Sequence, residues 1–318
     1  MCKSCVIPQE PASRYGQAKE VKVAEKQVSI SGHTKVFAVL GNPIGHSLSP
    51  VMHNAAIAEM GMDGVYLAFN VAPEHLMEAL NGMARLGFGG VNLTIPLKQV
   101  AFDGLADLDE SARLLGAVNT VAFEPGGMKG YNTDGLGFLD ALSEAFGKSP
   151  AGLSVLVVGS GGAGRAVAVT CASAGAGEVV VADLDRERAE RVVEEIKERC
   201  SKVPVRVATN DSAISEAARS AGLVVQATPV GMKADDESAL AADAFTAGQK
   251  AFDLVYMFPE TAFMKAAASA GARPVNGLGM LLHQGARSLS IWTGCTPPID
   301  VMRSALETAV YGRVVSRK

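Results

Sequence analysis

The run SVLVVGSGGAGRAVA, residues 154–168, restricts the fold of this chain more than any other stretch. An apolar, β-branched segment ends in a glycine-rich turn and passes into a helix of small residues. Gly159, Gly161 and Gly164 stand in G-x-G-x-x-G spacing. In that arrangement the first glycine makes a tight turn, the second lets backbone amides approach an anion, and the third allows close packing of helix on strand. The helix N-terminus attracts a pyrophosphate, with Ser160, Gly162 and Ala163 completing the turn. The next strand, EVVVAD, ends in Asp183, where a carboxylate accepts hydrogen bonds from an adenosine ribose. An acid there repels a 2′-phosphate and so favours NAD over NADP, although Arg186 and Arg188 begin the next helix and either could approach a phosphate. A plain helix N-cap, by Asp183 or by Asp185, is the competing reading of these acids.

The turn opens a longer series: EVVVAD, the charged helix DRERAERVVEEIKERC, then VPVRVAT, LVVQAT and AFDLVY, a doubly wound nucleotide-binding pattern. The first half alternates in the same way from KVFAVLG onward, through SPVMHNAAIAEMG, GVYLAFNV, PEHLMEALNGMARLG, GGVNLTIP and AVNTVAF. Such alternation predicts an α/β protein of mostly parallel sheets. At 318 residues the chain is comfortable for two domains with a cleft between them. Two amphipathic stretches after about residue 276, GMLLHQGARSLSIWTG and PIDVMRSALETAV, do not continue the strand series and are expected to fold back onto the first domain. The division is therefore residues 35–133 with 277–318 as one α/β domain and 134–276 as the dinucleotide domain. Residues 1–34, of mixed charge and little periodicity, read as an extension.

Composition excludes several classes. A net charge of −4 argues against non-specific nucleic-acid binding. No apolar run reaches the roughly 18 residues of a membrane span, and MCKSCVIPQEPASRYG lacks the apolar core of a secretory signal. A cytoplasmic protein with no membrane partner is expected. Cys2, Cys5, Cys171, Cys200 and Cys295 are odd in number and give no disulfide framework, and the C-x-x-C pair lacks a second pair of metal ligands.

The first half also carries polar residues in unusual places. GNPIGHSLSPVMHN sets Ser47 and Ser49 just before a helix, where hydroxyls and free amides can hold a small anion. In NLTIPLK, polar Asn92 and Thr94 alternate with Leu93 and Ile95 as on a half-buried strand, and Lys98 follows Pro96. GAVNT adds Asn119, and GYNTDGLG adds Asn132, Thr133 and Asp134. His46, His53 and His283 lack the spacing of a metal site and are expected in structural hydrogen bonds.

Taken together, GNPIGHSLSPVMHN, GGVNLTIPLK, GAVNT, GYNTDGLGF, GSGGAGRA, ATPVGM and NGLGMLLHQGA resemble the shikimate dehydrogenase family, over residues 35 to about 310. The resemblance implies reversible reduction of 3-dehydroshikimate to shikimate by a nicotinamide cofactor, and a substrate domain completed by the C-terminal helices. It implies that Ser47 and Ser49 hold the substrate carboxylate, near Tyr256, and that Asn92, Thr94, Asn119, Asp134 and Gln284 surround the ring hydroxyls. Lys98 matches the catalytic lysine and Asp134 its paired acid, while Leu254 and Gly277 match positions on the nicotinamide side. Most family members that use NADP carry an Asn-Arg-Thr-like run where this chain has Asp183, Leu184 and Asp185, which resembles the NAD-using quinate/shikimate branch. Ser49, where quinate-preferring relatives tend to carry threonine, argues for shikimate. A dual quinate/shikimate enzyme is the alternative, and a non-catalytic sensor of a shikimate-like ligand is disfavoured by the retention of both Lys98 and Asp134. Monomer and homodimer are both compatible with the motifs.

Overall fold

The computed structural model describes residues 30–312, so Cys2, Cys5 and nearly all of the expected extension lie outside the described residues. The N-terminal half supplies β1 (Lys35–Gly41), α1 (Ser49–Glu59), β2 (Gly64–Asn70), α2 (Leu76–Arg85), β3 (Gly90–Leu93), α3 (Leu97–Gly104), β4 (Asp107–Leu108), α4 (Glu110–Leu115), β5 (Thr120–Glu124) and β6 (Gly127–Tyr131). Its strands form one six-stranded sheet in the order β2-β1-β3-β5-β6-β4. β1 pairs parallel with β2 and β3, and β4 pairs parallel with β6; β5 runs antiparallel to both β3 and β6, so this sheet is mostly parallel, as expected, with one reversed strand. The cause is local: Pro125 and Gly126 close a two-residue hairpin between Glu124 and Gly127, and Gly127 takes φ +131°.

The chain then leaves through α5 (Asp134–Phe146) and builds β7 (Ser154–Val158), α6 (Gly162–Ser173), β8 (Glu178–Ala182), α7 (Arg186–Arg199), β9 (Val205–Val207), α8 (Asp211–Ser220), β10 (Leu223–Gln226), β11 (Lys250–Asp253), α9 (Ala262–Ser269) and β12 (Arg273–Val275). These six strands are all parallel, in the order β12-β11-β10-β7-β8-β9. That is the doubly wound arrangement with its switch point between β7 and β10. Val155, Val157, Val179, Val181, Leu223 and Val225 are fully buried beneath α5 and α6, which is why these strands read as unbroken apolar runs.

The return path is α10 (Leu278–Thr293) and α11 (Ile299–Tyr311). As expected from the sequence, both pack on the N-terminal half: Leu282, Leu289, Met302 and Leu306 share one core with Met52 and Ile57 of α1 and with Phe37 of β1. α10 also lies along α5. Arg287 forms a bidentate pair with Asp140, at 2.5 and 2.9 Å, and Arg303 pairs with Glu144 at 2.6 Å. Gly137 makes the close approach possible, since a Cβ there would stand 2.6 Å from the Gln284 backbone nitrogen. The two chain crossings between the sheets thus run side by side.

Candidate active site

The C-terminal end of β3 and the N-terminal ends of α3 and α5 meet at one place. Lys98, in the first turn of α3, sets its Nζ 2.6 Å from Asp134 Oδ2. Asp134 opens α5, where the helix dipole favours a carboxylate, whereas an ammonium at the start of α3 gains nothing from its own helix and is held by the acid. The other carboxylate oxygen, Oδ1, accepts from Asn119 Nδ2 at 2.9 Å, and the Asp134 backbone N–H donates to Asn132 Oδ1 at 2.9 Å. Asn119 is itself fixed, because its Oδ1 accepts from the Thr133 backbone N–H at 2.8 Å and from Thr120 Oγ1 at 2.9 Å. Gln284, on α10, places Oε1 3.4 Å from the Asn119 amide nitrogen. Lys98 and Asp134 are 30% and 15% exposed, so the pair is reachable from solvent yet largely shielded from it.

The structure brings together Lys98, Asn119, Asp134 and Gln284, and places Thr94 at the end of β3, half-buried, with its backbone N–H on the Leu40 carbonyl at 2.9 Å. Gly41 leaves room for it, as a Cβ there would meet Thr94 Cγ2 at 2.6 Å. Asn92 is different: it is buried, its Oδ1 accepts from Tyr66 Oη at 2.7 Å, and its Nδ2 donates to Asn119 O, Thr120 Oγ1 and Ser288 Oγ. Its side chain therefore braces Asn119 from beneath. The expected alternation also fails at Ile95, which is 76% exposed because the strand ends at Leu93.

At the start of α1, the cap is Leu48 rather than Ser49, and the Ser49 N–H donates to Ser47 Oγ at 3.3 Å. Ser49 reaches Tyr66, a fully buried phenol whose pKa burial raises well above its ordinary value despite that bond. Tyr256 packs against the core that α1 shares with α10 and α11, and burial raises its phenol as well. The histidine expectations divide. His283 bonds Glu144 at 3.0 Å and His46 is exposed, but buried His53 has no partner for either ring nitrogen among the described residues. His53 instead packs against the Tyr66 ring at 4.1 Å, and burial drives its pKa down to about 3, so it is a neutral packing residue and not a hydrogen-bonding one. Among the described residues no group of His, Cys, Asp and Glu is arranged to hold a metal ion.

In the dinucleotide half of the chain, the glycine turn has the geometry its spacing predicts. Gly159 takes φ +99°, and a Cβ at Gly164 would stand 1.9 Å from the Gly159 carbonyl oxygen. At Gly161 and Gly162 a Cβ would meet nothing within 4 Å, so the backbone amides opening α6 lie bare, a cradle that fits a pyrophosphate. Ser160 donates through both N–H and Oγ to Asp183 Oδ2, at 2.6 and 2.7 Å. Burial alone would raise the Asp183 carboxyl, but the bonds from Ser160 and Asp185 and the charge of Arg188 hold it below its ordinary range. The helix cap of α7 is Asp185, not Asp183. Leu184 is fully exposed, Arg186 pairs with Glu190, and Arg188 pairs with Asp185. Gly277 touches the second loop of this rim: a Cβ there would lie 2.3 Å from the Leu254 carbonyl oxygen.

Three family models match the chain: the shikimate dehydrogenase substrate binding domain over residues 39–121, the saccharopine dehydrogenase NADP binding domain over 155–289, and the shikimate 5′-dehydrogenase C-terminal domain over 277–307. A curated relative from Methanopyrus kandleri, named shikimate dehydrogenase (NADP(+)), is 44% identical over 281 residues, 88% of this chain and 97% of the relative. Among solved structures, shikimate 5-dehydrogenase from Listeria monocytogenes in complex with shikimate and NAD matches with TM-score 0.83 and 33% identity, covering 90% of this chain and 99% of that one. Quinate dehydrogenase from Corynebacterium glutamicum in complex with NAD matches with TM-score 0.80 and 32% identity, covering 86% and 99%. Fold and site together define an NAD(P)-dependent oxidoreductase acting on a CH–OH group. The chain belongs to the shikimate dehydrogenase family.

Several residues of the site carry no sequence signal of their own. Tyr66, Thr120 and Ser288 were legible only as strand and helix residues, though Ser288 lies one helical turn from Gln284 and so shares its face.

Proposed function

We propose that this chain interconverts 3-dehydroshikimate and shikimate, with Lys98 as the proton donor and Asp134 as the acid that orients it. The observation that carries the reading is the 2.6 Å contact of Lys98 Nζ with Asp134 Oδ2, with Asn119 on the other carboxylate oxygen. The dinucleotide, when bound, supplies or accepts the hydride. As the carbonyl carbon is reduced, the π pair moves onto oxygen, and the Lys98 ammonium stabilises that charge and passes its proton to it. Lys98 is left as a neutral amine, and in the oxidative direction it takes the alcohol proton back. Asp134, Asn119, Gln284 and Thr94 bind the ring hydroxyls, Asn92 braces Asn119, and Ser47, Ser49 and Tyr256 take the carboxylate. Residues 35–133 and 277–318 carry the substrate; residues 134–276 carry the cofactor through Gly159, Ser160, Gly161, Gly162, Ala163, Gly164, Asp183, Leu254 and Gly277.

NAD is the preferred dinucleotide in this reading, although curated relatives bear NADP in their names. An anionic Asp183 stands at the ribose position, Leu184 offers no charge, and Arg186 and Arg188 are each paired with an acid of their own helix or its cap. The same features favour one second reading, a dual quinate/shikimate dehydrogenase. Steady-state kinetics with shikimate and quinate, each against NAD and NADP, test both. A kcat/KM with NADP above that with NAD removes the cofactor assignment, and turnover of neither acid removes the functional one.

A further inference from the structure

Besides the two chain crossings, a third, non-covalent link joins the halves. α4 ends at Leu115, where the last carbonyls of a helix lack partners of their own. Arg165, in the first turn of α6, donates through Nη1 to Leu115 O at 2.6 Å. Arg199, from the last turn of α7, donates to Arg113 O at 2.6 Å and to Leu114 O at 3.1 Å. Glu195 stands between the two arginines. It accepts from Arg165 Nε and Nη2 at 2.7 and 2.5 Å, and its Oε1 lies 3.0 Å from Arg199 Nε. The three side chains are between 15% and 34% exposed, so the network is largely shielded and bidentate, unlike an isolated surface pair.

What each end of this link touches gives it meaning. The Arg165 backbone N–H bonds Gly161 O at 2.8 Å, so the residue sits just behind the glycine turn, while its side chain is spent on Leu115 O and Glu195 and takes no part in the cradle itself. On the other side, the four residues after Leu115 lead to Asn119. Ala117 O accepts from Asn132 Nδ2 at 2.8 Å, and Asn132 in turn holds the Asp134 backbone. The Val118 N–H donates to the carbonyl of Lys98 itself at 3.0 Å. Gly116 permits the approach, because it takes φ +56° and a Cβ there would stand 2.9 Å from Arg165 Nη2.

We propose that Arg165, Glu195 and Arg199 are positioning residues that couple the dinucleotide site to the substrate site by fixing the 113–119 segment to the start of α6. The inference rests on the assignment of Lys98, Asn119 and Asp134 to the substrate. Coupling between sites is a measurable and reciprocal free energy, so the test reads binding alone: the Kd of NADH with and without saturating shikimate, by nicotinamide fluorescence. In the unaltered protein shikimate changes that Kd by at least about fivefold. In Arg165→Met the change falls to within about twofold of none, while NADH and shikimate each keep their separate affinities to within about threefold. Arg165→Lys, which can still reach one carbonyl, recovers part of the coupling. Should Arg165→Met not fold, Glu195→Gln and Arg199→Met carry the same measurement. An unaltered protein without coupling, clamp variants with full coupling, or separate affinities that fall while coupling stays intact would each overturn the proposal. Turnover is not read, so failure of the Lys98 chemistry and failure of the clamp have separate signatures.

Discussion

Replacing Lys98 by alanine separates chemistry from structure. Among the described residues the lysine makes one side-chain bond, to Asp134 Oδ2, and the acid loses little else, since Asn119 still donates to Oδ1 and Asn132 still accepts from its backbone N–H. A partly exposed pair of this kind contributes at most about 1 kcal/mol to folding, which for a protein of this size is a fall in Tm of a few degrees. Losing the proton donor costs about 10²- to 10⁴-fold in turnover, or roughly 3–5 kcal/mol of barrier. The kinetic loss therefore exceeds the stability loss several-fold in free energy. Most substrate contacts remain, so KM for shikimate changes by less than about tenfold. The assay is absorbance of reduced nicotinamide on mixing shikimate with NAD, alongside a thermal melt. Because Asp134 acts largely through Lys98, the double variant Lys98→Ala/Asp134→Ala is about as slow as Lys98→Ala alone. A normal kcat with a large rise in KM, or fully additive losses in the double variant, refutes the assignment.

Three further outcomes are expected. Asp183→Asn removes the charge at the ribose position and raises kcat/KM with NADP relative to NAD; an unchanged ratio takes Asp183 out of the cofactor site. Gly137→Ala drives a Cβ to 2.6 Å from the Gln284 backbone nitrogen, which must shift, so stability falls by about 1–3 kcal/mol and KM for shikimate rises; an unchanged melt contradicts the helix packing. Asp253 is fully buried, and burial raises its carboxyl to about 6 in spite of bonds from Thr261 and Val255. The folded protein thus holds this proton more tightly than the unfolded chain, and the stability it lends grows as pH falls from about 7 to 4, by at most about 3 kcal/mol. Denaturant melts of the unaltered protein and of Asp253→Asn should diverge across that window in favour of the unaltered protein, and a constant difference contradicts this.

Much of the fold is legible in the chain because parallel strands buried on both faces must be apolar and turns with special geometry need glycine. Gly159 and Gly164 are of that kind: one occupies φ +99°, the other would collide with a neighbouring carbonyl if it carried a Cβ. The β5–β6 hairpin was also written in the sequence, as Glu-Pro-Gly-Gly, but five residues of Gly-Met-Lys-Gly-Tyr carry too little alternation to read as a strand. His53 could not be read at all, since a histidine in an amphipathic helix looks the same whether it bonds a neighbour or lies unbonded beneath an aromatic ring.

The chain by itself determined which chemical groups are present and the short-range geometry that presents them: a glycine turn opening a helix, an acid at the end of the next strand, a lysine just past a strand that a proline ends. Only the tertiary structure decided which of them meet. Gln284 stands 165 residues from Asn119, Ser288 stands 196 from Asn92, and Arg165 stands 50 from Leu115, yet each pair is in contact. Periodicity reports which face of an element is apolar but not which element will face it. Helix packing and the pairing of buried polar groups settle that choice, because a polar group that loses water must find its partner wherever the fold supplies one.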